Sequence, residues 1–395
     1  MNSRARATRT MRHLAVLLLL LLVAAACGDS PTEEEAAPPP AGEGGEPAPG
    51  TEGTGGEAGG ADSESAFDAV FAEVDGLEGQ ERIDALVALA QEEGELNVYT
   101  SNTDFADMAT TFTDTYDIEV SVYRAQANQV LQRLLQEQAA GYAGADLLDT
   151  NAEELATANQ EGLMRNYDGP ATEGLVESAP QDGWVASRLN LFTISWNTDL
   201  VTEPPTSYED LADERFAGLI MVEPRAFEWF MTLSEYLTGE QGMTQEEVDE
   251  LFLQIGANAT QVTGNTSHAN FLASGEYGVS TSVYSHLVDE LIATGAPISR
   301  TPAVEPVVIR PNGIGLLESA QNPASALLLM EWVLTDGQPL IAEVLRVPAR
   351  IEYQSGDLQD VETISVDVEK LISEGAEWEE RFEQTLREAQ AEPAG

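Results

Sequence analysis

Short apolar runs alternate with amphipathic stretches along residues 96–162. The runs predict β-strands, and the stretches, in which apolar residues recur every three or four positions, predict α-helices. The predicted strands are residues 96–100, 118–123 and 145–149, and the predicted helices are 104–115, 128–141 and 151–162. Alternation at this spacing favours a parallel sheet with helices on both faces.

A second α/β pattern follows, and a long extended segment lies at each of its ends, at residues 183–197 and 298–309. Between them the predicted strands are 219–222 and 278–283, and the predicted helices are 227–237, 244–257, one that ends at 271–275, and 285–294. Further helices are predicted at 324–334, 338–345 and 377–389. We interpret the middle third of the chain as a second α/β unit inserted between two parts of the first.

The N-terminal part has a different pattern. Four arginines precede an apolar run, residues 14–26, which is short for a membrane-spanning helix and typical of a secretory signal. Cys27, the only cysteine, follows at once and resembles the lipidated cysteine of bacterial lipoproteins; an ordinary signal peptide with an incidental cysteine is the alternative. Residues 28–62 lack large apolar side chains and predict a flexible acidic tether. Residues 67–93 predict one or two amphipathic helices.

The chain is strongly acidic. It has 18 Lys+Arg and 69 Asp+Glu residues, and without the four arginines of the signal, 14 basic residues stand against 69 acidic ones, a net charge of −55. Such a charge repels nucleic acid and anionic lipid head groups, so neither is expected as a partner. We attribute it to adaptation of the whole surface to salt, with an acidic surface meant for one cation as the alternative. A single cysteine excludes an intrachain disulfide and a thiolate zinc site.

Nine short segments, in the same order along the chain, resemble segments of a known protein family. They are residues 90–101, 130–134, 145–148, 196–201, 205–211, 216–220, 295–298, 322–326 and 347–350. Together they resemble bacterial extracellular solute-binding proteins of the branch that includes ferric-ion-binding proteins, over about residues 86–389. Within residues 205–211, Ser207 is inserted and Tyr208 replaces the usual tryptophan.

The resemblance implies an α/β fold of the type II periplasmic-binding-protein class, with two α/β lobes joined by two crossing strands near residues 191–197 and 298–308 and the ligand in the cleft between them. We expect a signal peptide at 1–26, the lipidated Cys27 and tether at 27–62, a helical segment at 63–93, lobe 1 at 94–190 and 305–395, and lobe 2 at 191–304.

The resemblance also implies a substrate-binding lipoprotein of an ABC importer, which delivers a small solute to a membrane permease and its ATPase. We expect an exported monomer, lipid-anchored to the outer face of the cytoplasmic membrane. A ligand-sensing surface receptor that is not coupled to transport is the alternative.

Five loops at the carboxyl ends of the predicted strands can reach the cleft, because ligands bind beyond those ends and helix N-termini supply free N–H groups there. The ligand-binding candidates are Ser101, Asn102, Thr150, Asn151, Arg225, Thr266, Tyr284 and His286. Helix capping is the alternative role for the four candidates of the first lobe. Pairing with a nearby acid is the alternative role for Arg225.

Two classes of ligand stay open. Tyr284 lies where the resemblance implies an iron-binding tyrosine, and Fe(III) suits phenolate oxygen, so Tyr284 is a metal ligand if iron is carried. The family's usual site has two adjacent tyrosines, whereas Val283 and Ser285 flank Tyr284. Arg225 can instead hold a carboxylate or another oxyanion through its planar fork. We expect no cofactor other than Fe(III) carried as the transported ligand.

The sequence lacks the common catalytic motifs. It has no Gly-x-Ser-x-Gly, no His-Glu-x-x-His, no Walker loop and no dinucleotide fingerprint. Only His268 and His286 remain once the signal is removed. We therefore expect a binding protein and not an enzyme.

Overall fold

The computed structural model describes residues 65–359 and 361–391, which belong to one compact unit. The predicted signal, Cys27 and the tether lie outside these residues. Across the described ranges, none of the helices combines the length and the apolar character needed to cross a bilayer.

Two short helices open the described part: α1 Ala66–Glu73 and α2 Gly79–Ala90. The Ser65 hydroxyl accepts the N–H of Phe67, and the Asp68 carboxylate accepts the N–H of Ser65, so a capping box fixes the start of α1. The prediction of one or two helices here is confirmed as two.

The next six elements form the predicted parallel arrangement. They are β1 Leu96–Thr100, α3 Phe105–Tyr116, β2 Val120–Arg124, α4 Ala127–Ala139, β3 Leu147–Asn151 and α5 Ala152–Gln160. Strand β1 pairs in parallel with β2 on one side and β3 on the other. Their buried apolar side chains form the first core, which we call the core of lobe 1. The three strands and three helices predicted from residues 96–162 are confirmed.

The middle of the chain forms a second α/β unit. Two short strands, β4 Met164–Arg165 and β5 Pro180–Gln181, precede it, and its elements are β6 Trp184–Asn197, β7 Ile220–Val222, α6 Phe227–Gly239, α7 Gln245–Asn258, β8 Ala259–Gln261, α8 Asn265–Ser274, β9 Val279–Tyr284, α9 Ser285–Ala293 and β10 Ile298–Ser299. Strand β7 pairs in parallel with β8 and β9. Aromatic residues of α6 and α7, including Trp229, Phe230 and Phe252, fill a second core, which we call the core of lobe 2.

The C-terminal elements are β11 Val307–Leu317, α10 Pro323–Leu334, α11 Gln338–Glu343, β12 Val347–Pro348, α12 Gly356–Gln359, β13 Thr363–Ser365 and α13 Val368–Ala391. Helix α13 is longer than the predicted 377–389. Its Phe382 and Leu386 lie in the core of lobe 2, although the sequence interpretation assigned all of residues 305–395 to lobe 1.

One mixed sheet runs through both lobes in the order β2-β1-β3-β11-β6-β9-β7-β8. Strand β11 is antiparallel to β3 and to β6, and β6 is antiparallel to β9, so β6 and β11 are the strands that join the lobes. The first crossing was predicted within β6. The second was predicted near residues 298–308, which is wrong in position, because that range holds only β10 and the start of β11.

The misplaced crossing has a local cause. Pro311, Asn312 and Gly313 are typical turn residues, so the sequence indicated an end to the strand there. In the structure β11 continues through them, with a bulge between Asn312 and Gly313. A Cβ atom on Gly313 would lie 2.2 Å from the carbonyl oxygen of Val185, so the glycine permits close contact between β11 and β6.

Candidate functional site

Most of the predicted site residues lie at or just after the carboxyl ends of four strands. In lobe 1, β1 ends at Thr100 and β3 at Asn151; in lobe 2, β7 ends at Val222 and β9 at Tyr284. Helices α5 and α9 begin directly after β3 and β9, so their free N–H groups lie at the same edge. This edge is where α/β sheets bind ligands.

The four lobe 1 candidates lie together, and they hydrogen-bond mainly within their own loops. The hydroxyls of Ser101 and Thr150 are 2.8 Å apart. The N–H of Asn102 donates to the Thr100 hydroxyl, and its side-chain oxygen accepts the N–H of Asp104. The side chain of Asn151, the N-cap residue of α5, makes no capping hydrogen bond. The contact between Ser101 and Thr150 holds the two loops side by side.

Two arginines that the sequence did not single out complete the lobe 1 side. Arg188, on β6, donates to Asp149 at 2.8 Å, and both side chains are buried. Arg346, which precedes β12, pairs with Asp104 at 2.5 Å. A cavity of about 160 Å³ lies between these pairs, and Asn102 is in its wall. Lobe 1 thus presents two arginine–aspartate pairs beside the predicted loops.

On the lobe 2 side, Tyr284 and His286 are stacked, with ring centroids 5.8 Å apart and an interplanar angle of 19°. Burial raises the pKa of Tyr284, so its phenol is protonated at neutral pH. Burial lowers the pKa of His286 to about 4; the charge of Arg346 acts in the same direction and that of Asp104 opposes it. Since Arg346 and Asp104 belong to the lobe 1 side, His286 lies close to the opposite lobe.

Arg225 and Thr266 are the more exposed candidates. The side chain of Arg225 is 68% exposed, and its Nε lies 3.5 Å from Glu223 Oε1. Glu223 is buried and also accepts the backbone N–H groups of Arg225 and Gly264, so it organises this loop. Thr266 lies exposed in the first turn of α8. Neither residue has a contact that ties it to Tyr284.

Arg310, which the sequence did not single out, lies beside Tyr284. Its Nη1 donates to Glu228 Oε1 at 2.6 Å, and its guanidinium carbon lies 5.4 Å from the centre of the Tyr284 ring. The side chains of Arg310 and Glu228 are 16% and 11% exposed. Glu228 lies in the first turn of α6, so the pair links the crossing strand β11 to lobe 2.

Glu154 approaches the same arginine from lobe 1, in the first turn of α5. Burial raises the pKa of Glu154 to about 7, the neighbouring Glu153 adds to the rise, and Arg310 opposes it. Burial also raises the pKa of Glu228, against the influence of Arg310. Arg310 therefore stands between carboxyl groups that belong to the two lobes. We call Arg310, Glu228, Glu154 and Asn312 the Arg310 cluster.

Metal ligands are sparse at this edge. Within the part of the chain that the structure describes, no group of three or more His, Cys, Asp or Glu side chains is placed to hold a metal ion. His268, the other histidine considered, lies between the Ser280 hydroxyl and the Val262 carbonyl oxygen, each at 2.7 Å, so its role is structural. Tyr284 remains as a single phenol beside a guanidinium.

Two larger surface cavities, of about 690 and 770 Å³, lie elsewhere, beside α2, and Arg82 contributes to both. The guanidinium of Arg82 donates to Glu331 and to the carbonyl oxygen of Val74. These cavities lie away from the strand ends at which α/β sheets bind ligands, so the polar groups at the strand ends make the better candidate site.

Residues 143–291 match the family model of the bacterial extracellular solute-binding proteins. The chain is similar to the periplasmic binding protein AfuA from Actinobacillus pleuropneumoniae with fructose-6-phosphate bound, at 20% identity and a TM-score of 0.59, covering 74% of this chain and 99% of that one. It is similar to iron-bound HitA from Pseudomonas aeruginosa at 17% identity and a TM-score of 0.60, covering 73% and 99%.

It is also similar to the ferric binding protein from Campylobacter jejuni, at 20% identity and a TM-score of 0.55, with 75% of this chain and 99% of that one covered. At these identities the likeness establishes the fold. The family match and the fold agree with the resemblance found in the sequence. Residues 143–291 therefore match the solute-binding family model, and the chain has the fold of the type II periplasmic binding proteins.

Proposed function

We propose that the protein is the substrate-binding component of an ABC importer and that it captures a small solute with a carboxylate or another oxyanion group between its lobes. The observation that carries the proposal is Arg310, a mostly buried arginine on a crossing strand, with a carboxyl group from each lobe beside it. A ligand that reaches this position meets both lobes, and contacts from both lobes favour the closed form.

An oxyanion fits the surroundings of Arg310 better than Fe(III) does. A guanidinium 5.4 Å from the ring of Tyr284 repels a metal cation at the phenol oxygen. The phenol has no adjacent tyrosine, and the described residues offer no carboxylate or histidine cluster for a metal. The lobe 1 loops add hydroxyl, amide and arginine donors, which suit an anion.

The N-terminal pattern and the family match support a proposal on export and partners. We propose that Cys27 is lipidated and holds the protein at the outer face of the membrane, where a permease and its ATPase take over the solute. The family and fold are those of binding proteins, so we propose no catalytic activity.

The test is a binding screen on the Cys27→Ser protein in molar salt, with thermal shift followed by calorimetry. The probes are acetate, butanoate, succinate, phosphate, amino acids and ferric nitrilotriacetate. We expect at least one carboxylate or phosphate compound to raise the melting temperature in a saturable way, because a ligand that binds only the folded form stabilises it.

Variants locate the site. We expect Arg310→Gln to remove most of the binding, since hydrogen bonds to charged groups contribute about 1.5–3 kcal/mol. Arg225→Ala should cost less, because that side chain is 68% exposed and already near Glu223. The proposal fails if ferric nitrilotriacetate alone stabilises the protein, with a charge-transfer colour that Tyr284→Phe abolishes.

A further inference from the structure

Three buried polar atoms of the Arg310 cluster have no hydrogen-bond partner. They are Nε of Arg310, Oδ1 of Asn312 and Oε2 of Glu154; none of these atoms has a hydrogen-bond partner within the described residues, although Asn151 and a backbone N–H act on the carboxyl group of Glu154. Asn312 as a whole is only 3% exposed. Buried polar atoms are nearly always paired, because an unpaired one has lost its hydrogen bonds to water without a replacement. Unpaired atoms in one cluster therefore point to a missing partner.

The three atoms belong to neighbouring positions of the fold. Asn312 follows Arg310 by two positions on β11, so both lie on the same face of that strand. Asn312 stands opposite Asn151 of β3 in the strand register, and Glu154 follows Asn151 by three residues at the start of α5. The charge of Glu154 acts on Arg310, which places the two groups near each other.

The unpaired atoms define what the partner must supply. Arg310 Nε is a donor and needs an acceptor, whereas Asn312 Oδ1 and an ionised Glu154 are acceptors and need donors. The cluster has one positive charge, on Arg310, and two carboxyl groups, those of Glu228 and Glu154. Glu153, a further acid, is next to Glu154 in the sequence. A ligand that is only an anion would add negative charge where acids already exceed bases. A ligand that carries a cationic donor beside its carboxylate adds no net charge.

We propose that the solute is a small zwitterion that carries an amino group as well as a carboxylate. The carboxylate accepts from Arg310 Nε, and the ammonium, which has three donors, pairs with Glu154 Oε2 and Asn312 Oδ1. This inference rests on the proposed function, because it names the solute class of the same site. It adds Glu154 and Asn312 as the residues that select for the amino group.

The experiment compares matched ligands on the unaltered binding site of the Cys27→Ser protein. The amino carboxylates are glycine, 3-aminopropanoate, 4-aminobutanoate and 5-aminopentanoate. For each one, the control ligands are the acid without the amino group and the amine without the carboxylate. We expect at least one amino carboxylate to bind more than tenfold more tightly than both of its controls. The dissociation constants are measured by calorimetry.

Two variants test the assignment of the amino group. Glu154→Gln should weaken the amino carboxylate at least tenfold and change the affinity for the deaminated acid less than about twofold. Glu161→Gln is the matched control, since it removes the same charge from an exposed residue at the other end of α5 and should leave both affinities nearly unchanged. Circular dichroism and urea unfolding of both variants show whether the fold is kept.

Proton release gives a readout that a merely structural role would not produce. The charged groups that act on Glu154 are Glu153 on its own helix and Arg310 on β11, with Glu228 of α6 paired to that arginine. An ammonium beside Glu154 lowers its pKa from about 7, so the amino carboxylate should release a proton when it binds at pH 7. Calorimetry in two buffers with different ionisation enthalpies measures it.

The outcomes separate the inference from the proposed function. If deaminated acids or phosphate bind as tightly as the amino carboxylates, or if Glu154→Gln affects both classes equally, the inference is wrong and the proposed function stands. The unpaired atoms are then most simply satisfied by water. If only ferric nitrilotriacetate binds, or if no probe binds, both are wrong. Tight amino carboxylate binding with proton release, lost in Glu154→Gln, supports both.

Discussion

Removal of the Arg310 side-chain charge should destabilise the protein in a pH-dependent way. Arg310→Met keeps most of the length of the side chain but leaves Glu228 without its partner. The two side chains are only 16% and 11% exposed, so water cannot replace the arginine fully. Loss of one member of a buried ion pair costs about 3–5 kcal/mol. Because some exposure remains, we expect a loss of about 3 kcal/mol at pH 8, at the lower end of that range.

The direction of the pH effect follows from Glu228 and Glu154. Burial raises the pKa of both carboxyl groups in the folded protein, and Arg310 opposes the rise. Without Arg310 the folded-state pKa values rise further above the unfolded ones. The destabilisation is therefore complete above the folded pKa values and disappears as pH falls through them. The difference in unfolding free energy between variant and parent should shrink by at least half between pH 8 and pH 5.

The assay is urea unfolding in molar potassium chloride, with the parent and each variant measured at every pH. Arg310→Met combined with Glu228→Met should lose less than Arg310→Met alone, because no unpaired charge is left buried. Arg387→Met is the control, since the Arg387–Glu383 pair is more than half exposed and should contribute less than about 1 kcal/mol. A loss that is independent of pH, or a double variant less stable than the single one, would refute the reasoning.

Three further predictions concern the anchor, the salt dependence and the motion of the lobes. Cys27→Ser should move the protein from the membrane fraction to the soluble fraction, and persistence at the membrane would contradict lipidation. The melting temperature should rise clearly from low to molar salt, because salt screens the repulsion within a net charge of −55; a flat dependence would contradict salt adaptation. A saturating ligand should reduce the radius of gyration measured by small-angle scattering, and an unchanged radius would argue against cleft closure.

The elements that the sequence predicted well are those whose pattern is local. Strands β1, β2 and β3 and the helices between them have apolar residues at regular spacing within each element, and their bounds differ from the predictions by few residues. Strand β11 was mispredicted because its middle carries Pro311, Asn312 and Gly313. In the structure β6 packs closely against this part of β11, and residues such as Gly313 permit that contact. The contact joins residues that are far apart in the sequence, so the local pattern could not indicate it.

The same distinction applies to the candidate site. The sequence placed Ser101, Asn102, Thr150 and Asn151 at strand ends, and the structure brings their loops together, because strand ends follow from local pattern. It did not single out Arg188 or Arg346, whose acidic partners are 39 and 242 residues away. Among 69 acids, no sequence pattern indicates which one an arginine will meet. Arg310 was not singled out for the additional reason that the predicted extended segment ended one residue before it, at residue 309.

Because basic residues are scarce in this chain, the places where they lie are informative about their role. If the acidic surface is an adaptation to salt, ion pairs on that surface are screened and contribute little. Arg188 and Arg310 are instead largely enclosed on the crossing strands, each with its own carboxylate, where salt screens much less. A site built from such enclosed pairs can recognise a charged solute in a medium in which exposed charges are ineffective. The binding free energy of that solute should therefore depend on salt far less than the stability of the whole protein does.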